Sequence, residues 1–145
     1  MRRLNYVVIA SALAAFAMYG WVHDEPTLDR LDAPNGGQLR MAGNYHYELL
    51  VAPASAQARN APVTVFVTDL FGSKIPTTGA TGSVTFPDST PQTTIALRPA
   101  GGNAMMGEGI YLSAPAIDAI VSIKLAGQQA EQARFKPAKV RDAGK

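Results

Sequence analysis

The chain has 145 residues, a formal net charge of +2, two histidines and no cysteine. Without cysteine neither a disulfide framework nor a thiolate metal site can form, so stability must come from packing. The charges are scattered, with basic residues gathered only toward the ends (Lys136, Lys139, Arg141, Lys145), and no basic stripe with interleaved aromatics appears. Nucleic-acid binding is therefore set aside.

Arg2 and Arg3 open the chain, and an apolar run over 4–22 follows, broken only by Asn5, Ser11 and Gly20. A basic start, an apolar stretch and small residues before a cut define a secretory signal, and Ala15-Phe16-Ala17 supplies an A-x-A site that would leave Met18 first. A spanning helix needs about 20 apolar residues, which 4–22 just meets. Tyr19 and Trp21 would then sit at the interface, with Arg2 and Arg3 cytoplasmic. Cleaved signal and uncleaved anchor both fit residues 1–22. Both put the remainder outside the cytoplasm, in the periplasm, free or anchored in the inner membrane through 4–22.

Residues 23–36 are polar and carry Pro and Gly, and read as a linker. From 37 to 136 short segments alternate apolar and polar residues between Gly, Pro, Asn and Asp, the pattern of half-buried strands. Strands are predicted over 38–41, 45–51, 63–68, 83–86, 93–97, 107–112, 119–125 and 130–135. In the second, Tyr45, Tyr47, Leu49 and Val51 share one face, and His46, Glu48 and Leu50 the other. Asp69 to Lys74 reads as a turn, with Gly72 supplying a positive backbone angle. Ile75-Pro76 is extended but no central strand, because proline cannot donate to a ladder. Residues 137–145 form a frayed tail. The spacing predicts an all-β fold, an immunoglobulin-like antiparallel β-sandwich preceded by the N-terminal signal or anchor helix.

Nucleophilic catalysis needs a nucleophile, a base and an orienting group. His46 is the only histidine on the predicted scaffold, no Gly-x-Ser-x-Gly elbow accompanies it, and the acidic residues are dispersed over turns. The chain therefore reads as a non-enzyme. A metal site is the sharper candidate. His46 and Glu48 project from the same strand face, Met41 lies across the turn at 42–44, and Met105 and Met106 sit in a Gly-rich loop. Thioether and imidazole together suit Cu(I). The plainer reading of the same residues is a solvated face for His46 and Glu48, and core filling for the methionines. The aromatics Tyr45, Tyr47, Phe66, Phe86, Tyr111 and Phe135 read as core.

Three segments carry a resemblance: Asn35-Gly36-Gly37, then Tyr45-His46-Tyr47-Glu48-Leu49-Leu50-Val51, then Val63 to Asp69 with Gly79-Ala80-Thr81-Gly82. They resemble small exported domains of periplasmic heavy-metal and copper efflux systems, which open on His-Gly-Gly. The opening histidine is Asn35 here, and asparagine is a poor ligand for soft metals. The resemblance carries His46 and Glu48, which match the strand motif, over as candidate copper ligands, and with Asn35 in place of the histidine it is equally open to a copy that has lost the metal and kept the fold. A weaker similarity to transthyretin-like and carboxypeptidase regulatory-like modules also implies a structural or binding role. The expectation is an exported or membrane-anchored binding module accessory to periplasmic copper handling, with a protein partner in the periplasm or membrane. The alternative is a structural accessory subunit of a larger envelope complex.

Overall fold

Alternation of apolar and polar residues becomes strand wherever one face can be buried, and eight segments among the described residues meet that condition. The computed structural model describes residues 25–28, 31–114 and 117–136. The expected signal or anchor over 1–22 and the tail over 137–145 lie outside the described residues. Among the described residues no helix is long and apolar enough to cross a membrane. A single helical turn, α1 (Glu25–Leu28), precedes β1 (Gln38–Ala42), β2 (Tyr45–Val51), β3 (Arg59–Asp69), β4 (Thr81–Phe86), β5 (Thr93–Pro99), β6 (Ala104–Tyr111), β7 (Ala119–Lys124) and β8 (Ala130–Phe135).

The fold is all-β and antiparallel, as the alternation predicts. The strands follow the order β1-β2-β3-β6-β5-β4-β7-β8 in one sheet. The sheet is nearly closed, since its first and last strands lie side by side. There the Gln38 side-chain amide donates to the Lys136 carbonyl at 3.2 Å, and the hairpin glycine Gly43 leaves no room for a Cβ beside the Glu131 carboxylate. The other weak seam is β5–β6, which pair only at Arg98↔Met106 and Pro99↔Met105. Beyond that short ladder β5 passes against the inner side of β6. A Cβ on Gly107 would stand 2.2 Å from the Ala96 carbonyl oxygen, and one on Gly109 would strike Ile95. These two glycines allow the sheet to turn its corner.

β3 is longer than the predicted 63–68 and includes Pro62. The β2–β3 ladder ends at Val51↔Val63, so Pro62, which has no N–H, stands past the end of that ladder while still in register with Glu108 of β6 on its other side. The Tyr111 hydroxyl closes the gap beyond, donating to the Pro62 carbonyl at 2.7 Å and accepting from the Ala52 amide at 2.8 Å.

The core joins Tyr47 and Leu49 of β2, Val63, Val65 and Val67 of β3, and Met105 and Tyr111 of β6. From the opposite wall come Val84, Phe86, Ile95, Val121, Ile123 and Phe135. Phe86 stacks on Tyr111 with ring centroids 4.7 Å apart. Tyr45 packs at the margin of this core. Phe66 departs from the expected core set, because its register partner is Glu48 and it therefore stands on the opposite face of the sheet.

Candidate pocket on the outer face of β1–β3

The outer face of β2 is buried too. His46 is 6% exposed and Glu48 3% exposed, so neither forms a solvated face. The cover comes from the chain upstream of β1. Leu28 of α1 is buried, α1 packs against β1, and the Leu31 amide donates to the Leu28 carbonyl at 3.1 Å.

One carboxylate fastens this cover. Glu48 Oε1 accepts the backbone N–H of Asn35 at 2.8 Å and that of Gly37 at 3.0 Å, while Oε2 accepts the Asn35 side-chain amide at 2.9 Å. Three N–H donors thus converge on one buried carboxylate. The two glycines of Asn35-Gly36-Gly37 have separate reasons. Gly36 adopts φ +77, in the left-handed region. Gly37 passes so close to β2 that a Cβ would stand 2.4 Å from Leu50 Cδ1 and 2.5 Å from the Leu49 carbonyl oxygen.

Between this cover and the β3–β4 turn lies an open cavity of about 260 Å³. Leu31, Asp32 and Pro34 wall it on one side, Leu39, His46, Glu48 and Thr68 form its floor, and Leu70, Phe71 and Gly72 form the opposite wall. The turn is fixed by Asp69, whose Oδ1 accepts the amides of Phe71 at 2.9 Å and Ser73 at 2.8 Å. Gly72 takes φ +86, as its place in the turn predicts. Register partners place Met41, His46, Thr68 and Lys74 in one row across the outer face. Phe71, at the lip, is 94% exposed.

The five candidate metal ligands divide. Met41 and His46 are direct register partners on neighbouring strands, and Glu48 lies two residues along the same face. Met105 and Met106, expected in a loop, lie instead in β6, which begins at Ala104 because its ladder with β3 runs back to Phe66↔Ala104, and Met105 is fully buried in the core on the other side of the sheet. Met106 pairs with Thr64 on β3 and is 44% exposed, four residues along β3 from Thr68 and one strand further across. Among the described residues no group of three or more His, Asp or Glu side chains is placed to hold a metal ion. A copper site here would draw on His46 and Met41, because the Glu48 oxygens already accept three N–H groups.

The upstream wall and the aromatic lip were not among the sequence-predicted site residues. Their signals were present: Leu28 and Leu31 are apolar residues inside an otherwise polar segment, and Leu70 and Phe71 are large apolar residues inside a turn. Comparison with protein families, with curated proteins and with solved structures returns no match to this chain.

Proposed function

We propose that the chain is an exported or membrane-anchored, non-enzymatic binding module that takes an apolar side chain of a protein partner into the His46 pocket. The observation that carries this reading is the construction of the pocket. A segment that could have been a loose linker is pinned across the outer face by Glu48, leaving an apolar-walled cavity with His46 and Thr68 in its floor. Small-molecule sites usually run about 300–1,000 Å³. At about 260 Å³ this cavity falls short of that range and suits a single side chain, the kind of anchor around which interfaces are built. Catalysis by a His46–Glu48 pair is disfavoured because the Glu48 carboxylate is committed to Asn35 and Gly37. The immunoglobulin-like reading of the fold belongs to the same proposal. It is supported by the two strand groups, β1-β2-β3-β6 and β5-β4-β7-β8, which share one core and join through the short β5–β6 ladder.

The test is titration with phenylalanine amide, followed at the backbone amides of His46, Thr68 and Gly72. Shifts confined to these residues are expected, and should be absent in Thr68→Phe, whose ring fills the cavity from its floor. Shifts spread over the surface, or unchanged in that variant, refute the reading. The mass of the mature protein separates its two forms: a start at Met18 gives a free module and an intact Met1 an anchored one.

A second reading, copper handling, is favoured by the Met41↔His46 pairing, which sets thioether and imidazole side by side on one face. Cu(I) should then shift the His46 ring signals, and His46→Ala or Met41→Leu should each abolish tight binding. No shift on adding Cu(I) ends this reading.

A further inference from the structure

We propose that the pocket's occupant is Phe71 of a second copy of this chain, exchanged reciprocally across a two-fold axis. The inference rests on the pocket reading above and names its partner. Phe71 carries nearly its whole ring in water at the tip of a turn held rigid by Asp69, directly beside a cavity that its own ring does not fill. An apolar cavity of about 150 Å³ already accommodates a benzene ring, so about 260 Å³ leaves room for a benzyl side chain. A knob and a hole adjacent on one face are what an isologous pairing requires: each copy presents both, and one rotation fills both holes.

Charge agrees with the same geometry. Asp32 stands on the upstream wall of the pocket. Lys74 lies on the far side, in register with Thr68 and exposed beyond the Phe71 turn. The face therefore runs from acid through hole and knob to base. Reversing that order across a two-fold axis sets Lys74 of each copy against Asp32 of the other when Phe71 enters the hole. Like-charged groups at those two positions would instead have repelled. Asp32 at the rim also makes the face a poorer match to an anionic lipid surface, the other destination of an exposed aromatic.

The absence of cysteine makes a clean test available. Full-length chain carrying Asp32→Cys is mixed with full-length chain carrying Lys74→Cys, each the sole thiol of its copy, and oxidised gently. Disulfides between unlike copies should exceed those between like copies several-fold, and Phe71→Ala in both copies should remove the excess. A statistical mixture, or an excess that survives Phe71→Ala, overturns the proposal. So does a Phe71→Ala chain whose only change is weaker binding to anionic vesicles, which gives the lip to the membrane instead. Toluene titrated into a Lys74→Asp chain, in which like charges oppose the pairing while every pocket-lining residue is kept, separates this failure from that of the pocket reading. Toluene binding at His46 and Thr68 without preferential cross-linking removes only the second copy, whereas no toluene binding removes the pocket as well.

Discussion

The two faces of β2 are both buried, yet they are buried by different means. Toward the core, Tyr47 and Leu49 meet side chains from the opposite strands, in contacts that are apolar and non-directional. On the outer face, His46 and Glu48 are covered by the chain's own upstream segment, held by three N–H groups on one carboxylate. The first kind of burial is shared among many residues and is lost only with the fold. The second is concentrated at one side chain, so it can be lost alone. The contrast places the pocket at the part of the molecule that can change without unfolding the rest.

The largest expected effect tests the inner face. Leu49→Ala should destabilise the whole domain by about 2–5 kcal/mol, the usual cost of truncating a buried leucine, in a single unfolding transition. Glu48→Ala, one residue away on the outer face, should cost about 1–3 kcal/mol through the loss of three part-buried hydrogen bonds, and the loss should be local. Hydrogen exchange should quicken at Asn35 and Gly37 and remain slow at Val65 and Val121. If Glu48→Ala instead accelerates exchange at Val65 as much as Leu49→Ala does, the two faces are one cooperative unit and the contrast breaks.

Alkaline pH sharpens the same comparison, because two phenols of the inner face are held neutral there by burial. Burial foremost, then the Glu131 charge and Tyr45, push the Tyr47 phenol above its ordinary value of 10.0, and burial also raises that of Tyr111. A phenol held neutral in the folded state contributes stability that is complete below the unfolded value. That stability falls as pH rises above it, since the unfolded chain releases a proton that the folded chain keeps. Stability should therefore decline above about pH 10, by at most about 1.4 kcal/mol per pH unit for each such group. In Tyr47→Phe the decline should be shallower. An equal slope in that variant, measured by denaturant midpoints from pH 9 to 12, would assign the loss to other groups.

The inner face was the legible one. A period of two in Tyr45-His46-Tyr47-Glu48-Leu49 says which residues share a face, and one apolar face is enough to predict a core strand. The same period cannot say whether the polar face meets water, because that depends on a segment ten or more residues upstream whose path is fixed by Glu48 rather than by its own composition. The corner at Gly107 and Gly109 was hidden for a related reason: a glycine inside a strand announces a close approach but not the strand that approaches. Met105 and Met106 illustrate the limit of composition. Adjacent in sequence, they point to opposite faces, so a pair that looked like two ligands became one core residue and one surface residue.

The smallest effect concerns Asn35, whose side chain supplies one of the three donors. Two of the three donors to Glu48 are backbone amides, of Asn35 and Gly37, and neither depends on the Asn35 side chain. Asn35→Ala should therefore remove one bond and cost about 0.5–1.5 kcal/mol, less than Glu48→Ala, leaving the pocket wall in place. Asn35→His supplies a ring N–H in place of the amide donor to Oε2, and should recover part of that loss. The measurement is the exchange rate of the Gly37 amide in the three chains, which should rank native slowest, histidine next and alanine fastest. A histidine chain slower than native would mean that the position favours imidazole for the latch itself. An exchange rate indifferent to all three would mean that the backbone amides alone hold the segment on Glu48, with the side chain at 35 contributing nothing to the cover of the outer face.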